Sequence, residues 1–189
     1  NDARRQRQMC IRDSPWGGEF LEIADWISDC FAQCNRLFRL PLHEPMSAFP
    51  SIFDVGLTGG IPRYQPEEIK AKFEIHAEPE KTILLTFGGL GLEHIPYESL
   101  SGFPDWQFIT FDSQSPELPN LINVRKESEK KDLNLPNIRP VDLMPICGRI
   151  VSKPGYSTFA EALRLETPIV SLVREGFAES KLLLSLIHI

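Results

Sequence analysis

The chain has 189 residues, 42% of them hydrophobic and 24% charged, a composition ordinary for a folded globular protein and wrong for a disordered or collagen-like one. Sixteen prolines and twelve glycines exclude long helices and coiled coil and point to short elements joined by many turns, in one or two small domains. A net charge of −6 excludes a general electrostatic attraction to nucleic acid or an anionic membrane, and no stretch approaches the roughly 18 consecutive apolar residues of a membrane span.

In chain order, residues 1–14 carry four arginines, no initiator methionine and no apolar core after the basic residues, so they do not form a secretory signal. They resemble the translated sequencing-adapter readthrough found at the ends of metagenomic gene fragments, as does the closing 185–189. The competing reading is a basic arm that touches a partner. Both ends are expected to be non-native tails, and the segment between them a fragment of a longer protein. From Glu19 to Cys34 apolar residues recur at helical spacing around Phe20, Ile23, Trp26, Ile27 and Phe31, which predicts an amphipathic helix. Arg36 to Leu40 alternates and predicts a short strand, while the proline- and glycine-rich stretch from Pro41 to Pro66 predicts an irregular crossing or interdomain linker. A domain boundary is expected near residues 58–63, separating 15–60 from 61–184.

Pro66 to Phe73 opens with proline and two acids and ends with lysines, the charge order a helix dipole prefers. Lys81 to Phe87 is a nearly continuous apolar run, as a parallel strand buried on both faces requires. Trp106 to Phe111, Arg149 to Ser152 and Pro168 to Val173 repeat that pattern, and Asn137 to Val141 does so weakly. Strands alternating with helical stretches predict an α/β fold with a parallel sheet, whose ligands belong at the carboxyl ends of the strands. The mixed charges from Lys126 to Asp132 read as a solvated surface.

The four cysteines form no C-x-x-C pair, which fits a reducing, cytoplasmic compartment, and Cys30 and Cys34, with no histidine at ligand spacing, are read as small buried hydrophobes rather than metal ligands. His43, His76 and His94 have no acid at helix spacing and are read as solvated or structural. Two loops after predicted strands are rich in small residues. Gly88-Gly89-Leu90-Gly91 would let backbone N–H groups approach a ligand, or is a plain turn; it matches neither the P-loop nor G-x-G-x-x-G. In Lys153 to Leu163, Gly155 permits an unusual backbone angle, and Ser157 and Thr158 can cap a helix and present hydroxyls beside its free N–H groups, an anion cradle to which Lys153 either adds charge or stands solvated at a strand edge. Glu161 either accepts ribose hydroxyls or closes a capping box with Thr158.

The core Gly155-Tyr156-Ser157-Thr158 with Glu161-Ala162, followed by Thr167-Pro168-Ile169-Val170 and Arg174 to Glu179, resembles the nucleotide-sugar half of GT-B glycosyltransferases. It is similar above all to the glycosyltransferase-like module of arabinokinases and related bacterial proteins. The resemblance runs from about Arg36 to Leu184 and includes the Phe87-Gly88-Gly89 turn. It implies a Rossmann-like C-terminal domain preceded by the tail of an acceptor domain, metal-independent glycosyl transfer and a nucleoside-diphosphate sugar as donor substrate, with no resident cofactor. It also implies that Gly155, Tyr156, Ser157 and Thr158 hold the diphosphate, Glu161 the ribose, that Arg174, Phe177 and Glu179 border the sugar, and that Gly88 and Gly89 flank the cleft. Ser157 departs from the glycine usual there. The family's catalytic base belongs to the N-terminal domain, so none is nominated. Two further functions fit this sequence: a noncatalytic sugar-nucleotide-binding module joined to a sugar kinase, and a nucleotide-sugar epimerase.

Overall fold

The computed structural model describes residues 21–87, 95–131, 133, 138–173 and 178–187; the side chains of 178, 179, 186 and 187 are not part of that description. The chain divides into two compact units, one ending at Leu57 and one beginning at Thr58.

In the first unit the predicted helix forms as α1 (Leu21–Ala32), with Glu22 in its first turn. None of its residues is buried: Trp26 is 67% exposed, and Cys30 on the helix and Cys34 just after it are exposed, not the buried hydrophobes expected. Phe31 stacks on Phe49 at 4.5 Å between ring centroids. β1 (Leu37–Arg39) occupies the predicted position. The stretch after Pro41 is not irregular throughout, because β2 (Ile52–Asp54) lies within it and pairs with β1 in parallel. Three residues between Ser51 and Val55 carry too little periodicity to announce a strand, and its partner supplies the stabilisation. Arg39 fixes the register by pairing both oxygens of Asp54, directly opposite, at 2.6 and 2.9 Å. The Arg36 guanidinium lies over the rings of Phe38 and Phe53.

The second unit is a Rossmann-like α/β domain. Its five-stranded sheet, all parallel, contains β3 (Thr82–Thr86), β4 (Gln107–Thr110), β5 (Leu121–Asn123), β6 (Arg149–Ser152) and β7 (Ile169–Ser171), in the order β5-β4-β3-β6-β7. α2 (Pro66–Phe73) forms over the predicted residues with Pro66 in its first turn, and buries Ile69 and Phe73 one turn apart on a single face. Both faces of the sheet are covered, which accounts for the unbroken apolar runs. Leu84 packs with Ile69, Ile109, Leu143 and Ile150 on one side, while the next residue, Leu85, packs with Tyr97, Phe108 and Leu121 on the other.

One expectation fails here, and one strand was not anticipated. Pro140–Leu143, which follows the helix α3 (Val124–Lys130), is a helical turn, α4, and not the end of a strand. Pro140 has the backbone angle a first helical residue needs, and Asp142 accepts the Arg139 N–H at 2.8 Å, so local capping overrides a weak alternating pattern. The start of that pattern, Asn137, lies outside the described residues. β5 was not anticipated, because it spans three residues with no longer apolar or alternating run around them. It leads directly into α3 (Val124–Lys130), whose charged residues are the solvated surface expected, with Asn123 accepting the Arg125 and Lys126 N–H groups at 3.1 Å as its cap. After β6 come α5 (Tyr156–Arg164) and, beyond β7, α6 (Ala178–Ile187). Among the described residues, no helix is long and apolar enough to cross a membrane.

Candidate functional site

β3 connects onward to β4 and β5 on one side of the sheet, whereas β6 and β7 lie on the other. The strand order therefore reverses between β3 and β6. At such a switch point two loops leave the sheet in opposite directions and open a crevice at the carboxyl edge. Thr86 and Ser152, paired in register, are the last residues of the two strands. The glycine-rich loop begins two residues beyond Thr86, and the Lys153-Pro154-Gly155 connection begins directly after Ser152. Both loops singled out in the sequence thus depart from the same place in the fold.

The connection after β6 delivers the N-terminus of α5. Gly155 is the residue preceding the helix, and no side chain caps it. The capping roles expected of Ser157 and Thr158 are therefore incorrect: both lie inside the first helical turn, past the capping position. The capping box is excluded for the same reason, since Glu161 is the sixth helical residue and cannot return to the N–H of the residue before the helix. Nor does Gly155 take an unusual angle; at φ −149° and ψ 128° it is ordinary extended backbone. A Cβ there would meet only the Lys153 carbonyl, at 3.9 Å, so the space beside it is open. Phe159 is the first residue to return its N–H to the turn, to the Gly155 carbonyl at 3.1 Å. The N–H groups of Tyr156, Ser157 and Thr158 precede it, and a helix leaves such groups without intrahelical partners. Three parallel N–H dipoles with the positive end of the helix behind them form an electrostatic seat for an anion. Ser157 is exposed beside them and Thr158 half-buried. The Tyr156 hydroxyl is buried with no hydrogen-bond partner among the described residues, and burial raises its pKa.

Glu161 lies further along α5, and its Oε1 accepts the Gly60 N–H at 2.8 Å. Gly60 belongs to an extended segment, residues 58–63, fastened at several points. The Arg164 guanidinium donates to the carbonyls of Gly59 and Gly60 at 3.3 and 3.4 Å, and Arg139 Nη2 donates to that of Ile61 at 2.9 Å. At its end the backbone N–H and Nη2 of Arg63 donate to the two oxygens of Asp142, at 3.0 and 2.8 Å. The Asp142 side chain is fully buried. Burial would raise its pKa, but Arg63 and the backbone N–H groups of Arg139 and Arg63 outweigh that and hold it below the ordinary carboxylate value. The sequence offered only Gly59-Gly60 as a hint of this strap, and that pair read as linker punctuation.

On the far side of the crevice the Tyr97 hydroxyl donates to Asp112 Oδ2 at 2.9 Å and lies 3.3 Å from the Thr110 hydroxyl. Burial pushes this phenol up to about 12. Asn123 Nδ2 ties in the Asp112 carbonyl and the Ser115 hydroxyl at 2.6 and 2.8 Å. These bonds hold the carboxyl ends of β4 and β5 together; sequence reasoning missed them because their partners are non-local. Of the other candidate residues, Gly88, Gly89, Arg174 and Phe177 lie outside the described residues, and Glu179 is placed by its backbone alone, in the first turn of α6.

No family model matches the chain. It is similar to an L-arabinokinase of Arabidopsis thaliana, 26% identical over 194 aligned positions that cover 96% of this chain and 18% of the relative. It also superposes on the crystal structure of the glycotransferase of kitacinnamycin with a TM-score of 0.52 and 14% identity, over 98% of this chain and 52% of the other. The chain thus has a glycosyltransferase-like fold and spans about half the length of that solved structure and less than a fifth of the arabinokinase.

Proposed function

We propose that the chain binds a nucleoside-diphosphate sugar in the crevice between β3 and β6, as the donor-binding half of a GT-B-type glycosyltransferase. The observation that carries this reading is the uncapped N-terminus of α5 at the point where the strand order reverses. The diphosphate takes the free N–H groups of Tyr156, Ser157 and Thr158 together with the hydroxyls of Ser157 and Thr158, and Glu161 accepts a ribose hydroxyl. Gly88 and Gly89 flank the cleft, and Arg174, Phe177 and Glu179 border the sugar, as the family resemblance implies. In glycosyl transfer the bond from the anomeric carbon to the diphosphate breaks, and negative charge develops on the departing nucleoside diphosphate. Oriented N–H groups fixed before that charge develops stabilise it more in the transition state than in the ground state. Activation of the acceptor hydroxyl falls to a base outside the residues assigned here. The first unit, with its parallel β1–β2 pair, is read as part of the acceptor domain.

The similarity to an L-arabinokinase supports a second reading, a sugar-nucleotide-binding module that works beside a sugar kinase. Calorimetric titration of the 189-residue chain with uridine, adenosine and guanosine diphosphates tests the shared premise. Saturable binding of at least one, competed by its diphosphate sugar, is expected; no binding of any overturns both readings. Release of free sugar or its transfer from the bound donor, once an acceptor domain is present, separates the transferase from the binding module.

A further inference from the structure

We infer that Gly60 is a positioning residue for Glu161, and that the strap formed by residues 58–63 sets how the carboxylate meets a ribose; this rests on the donor-binding reading above. The Gly60 N–H donates to Glu161 Oε1 at 2.8 Å across 101 residues of sequence. That bond takes up one lone pair of Oε1 and orients the carboxylate, leaving its remaining lone pairs to accept from ligand hydroxyls. The approach depends on the absence of side chains. A Cβ on Gly59 would stand 2.7 Å from Glu161 Cγ, and one on Gly60 would stand 2.9 Å from Oε1, 3.1 Å from Arg139 Nη1 and 3.1 Å from Val141 Cγ1. Arg164, one turn after Glu161 on the same helix, holds the strap from its carbonyl side. The strap is thus gripped by two side chains of α5, one accepting from it and one donating to it. A glutamate whose carboxylate is fixed in this way loses fewer conformations when it binds a hydroxyl than a free one does.

The test compares ribose recognition with diphosphate recognition in the whole chain. Uridine, adenosine and guanosine diphosphates are titrated by calorimetry beside their 2′-deoxy and 3′-deoxy counterparts, into the unaltered protein and into Gly60→Ala, Arg164→Ala and Glu161→Ala. A hydrogen bond to a charged group corresponds to about a tenfold preference for the ribose form or more. The inference predicts that preference in the unaltered protein, its loss in Glu161→Ala, and a drop of at least threefold in Gly60→Ala and Arg164→Ala, with affinity for the deoxy forms held within about twofold. A merely structural role would weaken both forms equally and leave the ratio unmoved. If Gly60→Ala does not fold, Arg164→Ala, which adds no atoms, decides the matter. Retention of the full preference by folded Gly60→Ala and Arg164→Ala, beside its loss in Glu161→Ala, overturns the inference and leaves the donor-binding reading intact. No preference in the unaltered protein, or one that survives Glu161→Ala, overturns the inference together with the ribose role of Glu161.

Discussion

Replacing Ser157 by glutamate separates the two things the first turn of α5 does. Ser157 is the second residue of that helix and is exposed, so a carboxylate placed there faces no burial cost. A negative charge in a first helical turn favours the dipole by about 0.3–1 kcal/mol, so Ser157→Glu is expected to fold at least as stably as the parent. A bound diphosphate would take the same N–H groups, and the new carboxylate would lie about 6 Å from one of its charges, a distance typical of neighbouring groups on a helix surface. At an effective dielectric of about 40, between the values for a protein surface and for water, repulsion over that distance amounts to roughly 1.4 kcal/mol, or tenfold in affinity. Loss of the serine hydroxyl bond adds about 1 kcal/mol. Together they predict weakening by at least tenfold, measured by calorimetric titration with the three nucleoside diphosphates, alongside a chemical-denaturation midpoint no lower than the parent's. Added salt should narrow the gap as the repulsion is screened. Binding by Ser157→Glu as tight as the parent's would refute the assignment of the diphosphate to this helix.

Further expectations concern the scaffold. Ile150 is fully buried in the interior strand β6, and Ile150→Ala should lower unfolding free energy by about 2–5 kcal/mol in urea titration. The Asp142 carboxyl titrates below its ordinary value of 3.8 in the folded state, so its stabilising contribution is complete above that pH and disappears as pH falls through the lowered pKa. Asp142→Asn should be less stable at neutral pH and should lack that part of the acid dependence; an unchanged acid limb would show that Arg63 and Arg139 do not stabilise the ionised form. Tyr97 has a pKa raised from 10.0 to about 12, which favours the neutral phenol in the fold. Its contribution is present below pH 10 and lost as pH rises towards 12, so ultraviolet titration should show late-ionising tyrosine absorbance that Tyr97→Phe reduces, Tyr156 supplying the rest.

The elements legible in the sequence are those whose stability is local or whose burial is complete. The run around Ile83-Leu84-Leu85 could only be a strand covered on both faces, and Pro66-Glu67-Glu68 contains its own helix start. β2 and β5 were illegible because their flanks do not extend a three-residue run, whereas β1 and β7, equally short, lie within the longer patterns Arg36 to Leu40 and Pro168 to Val173. The first turn of α5 was misjudged by two to three positions, since Gly155, Ser157 and Thr158 are all acceptable caps and only the backbone angles choose among them. The bond from Gly60 to Glu161 joins positions 101 apart, a distance over which no local pattern operates.

The central claim is that the N–H groups opening α5 receive a diphosphate. Titrating the isotopically labelled chain with uridine, adenosine and guanosine diphosphates while following its backbone amide resonances tests it at the atoms concerned. The account predicts that the amides of Tyr156, Ser157 and Thr158 shift furthest, and saturably, with at least one of the three. Saturable shifts centred elsewhere, with these three amides unmoved, would contradict it.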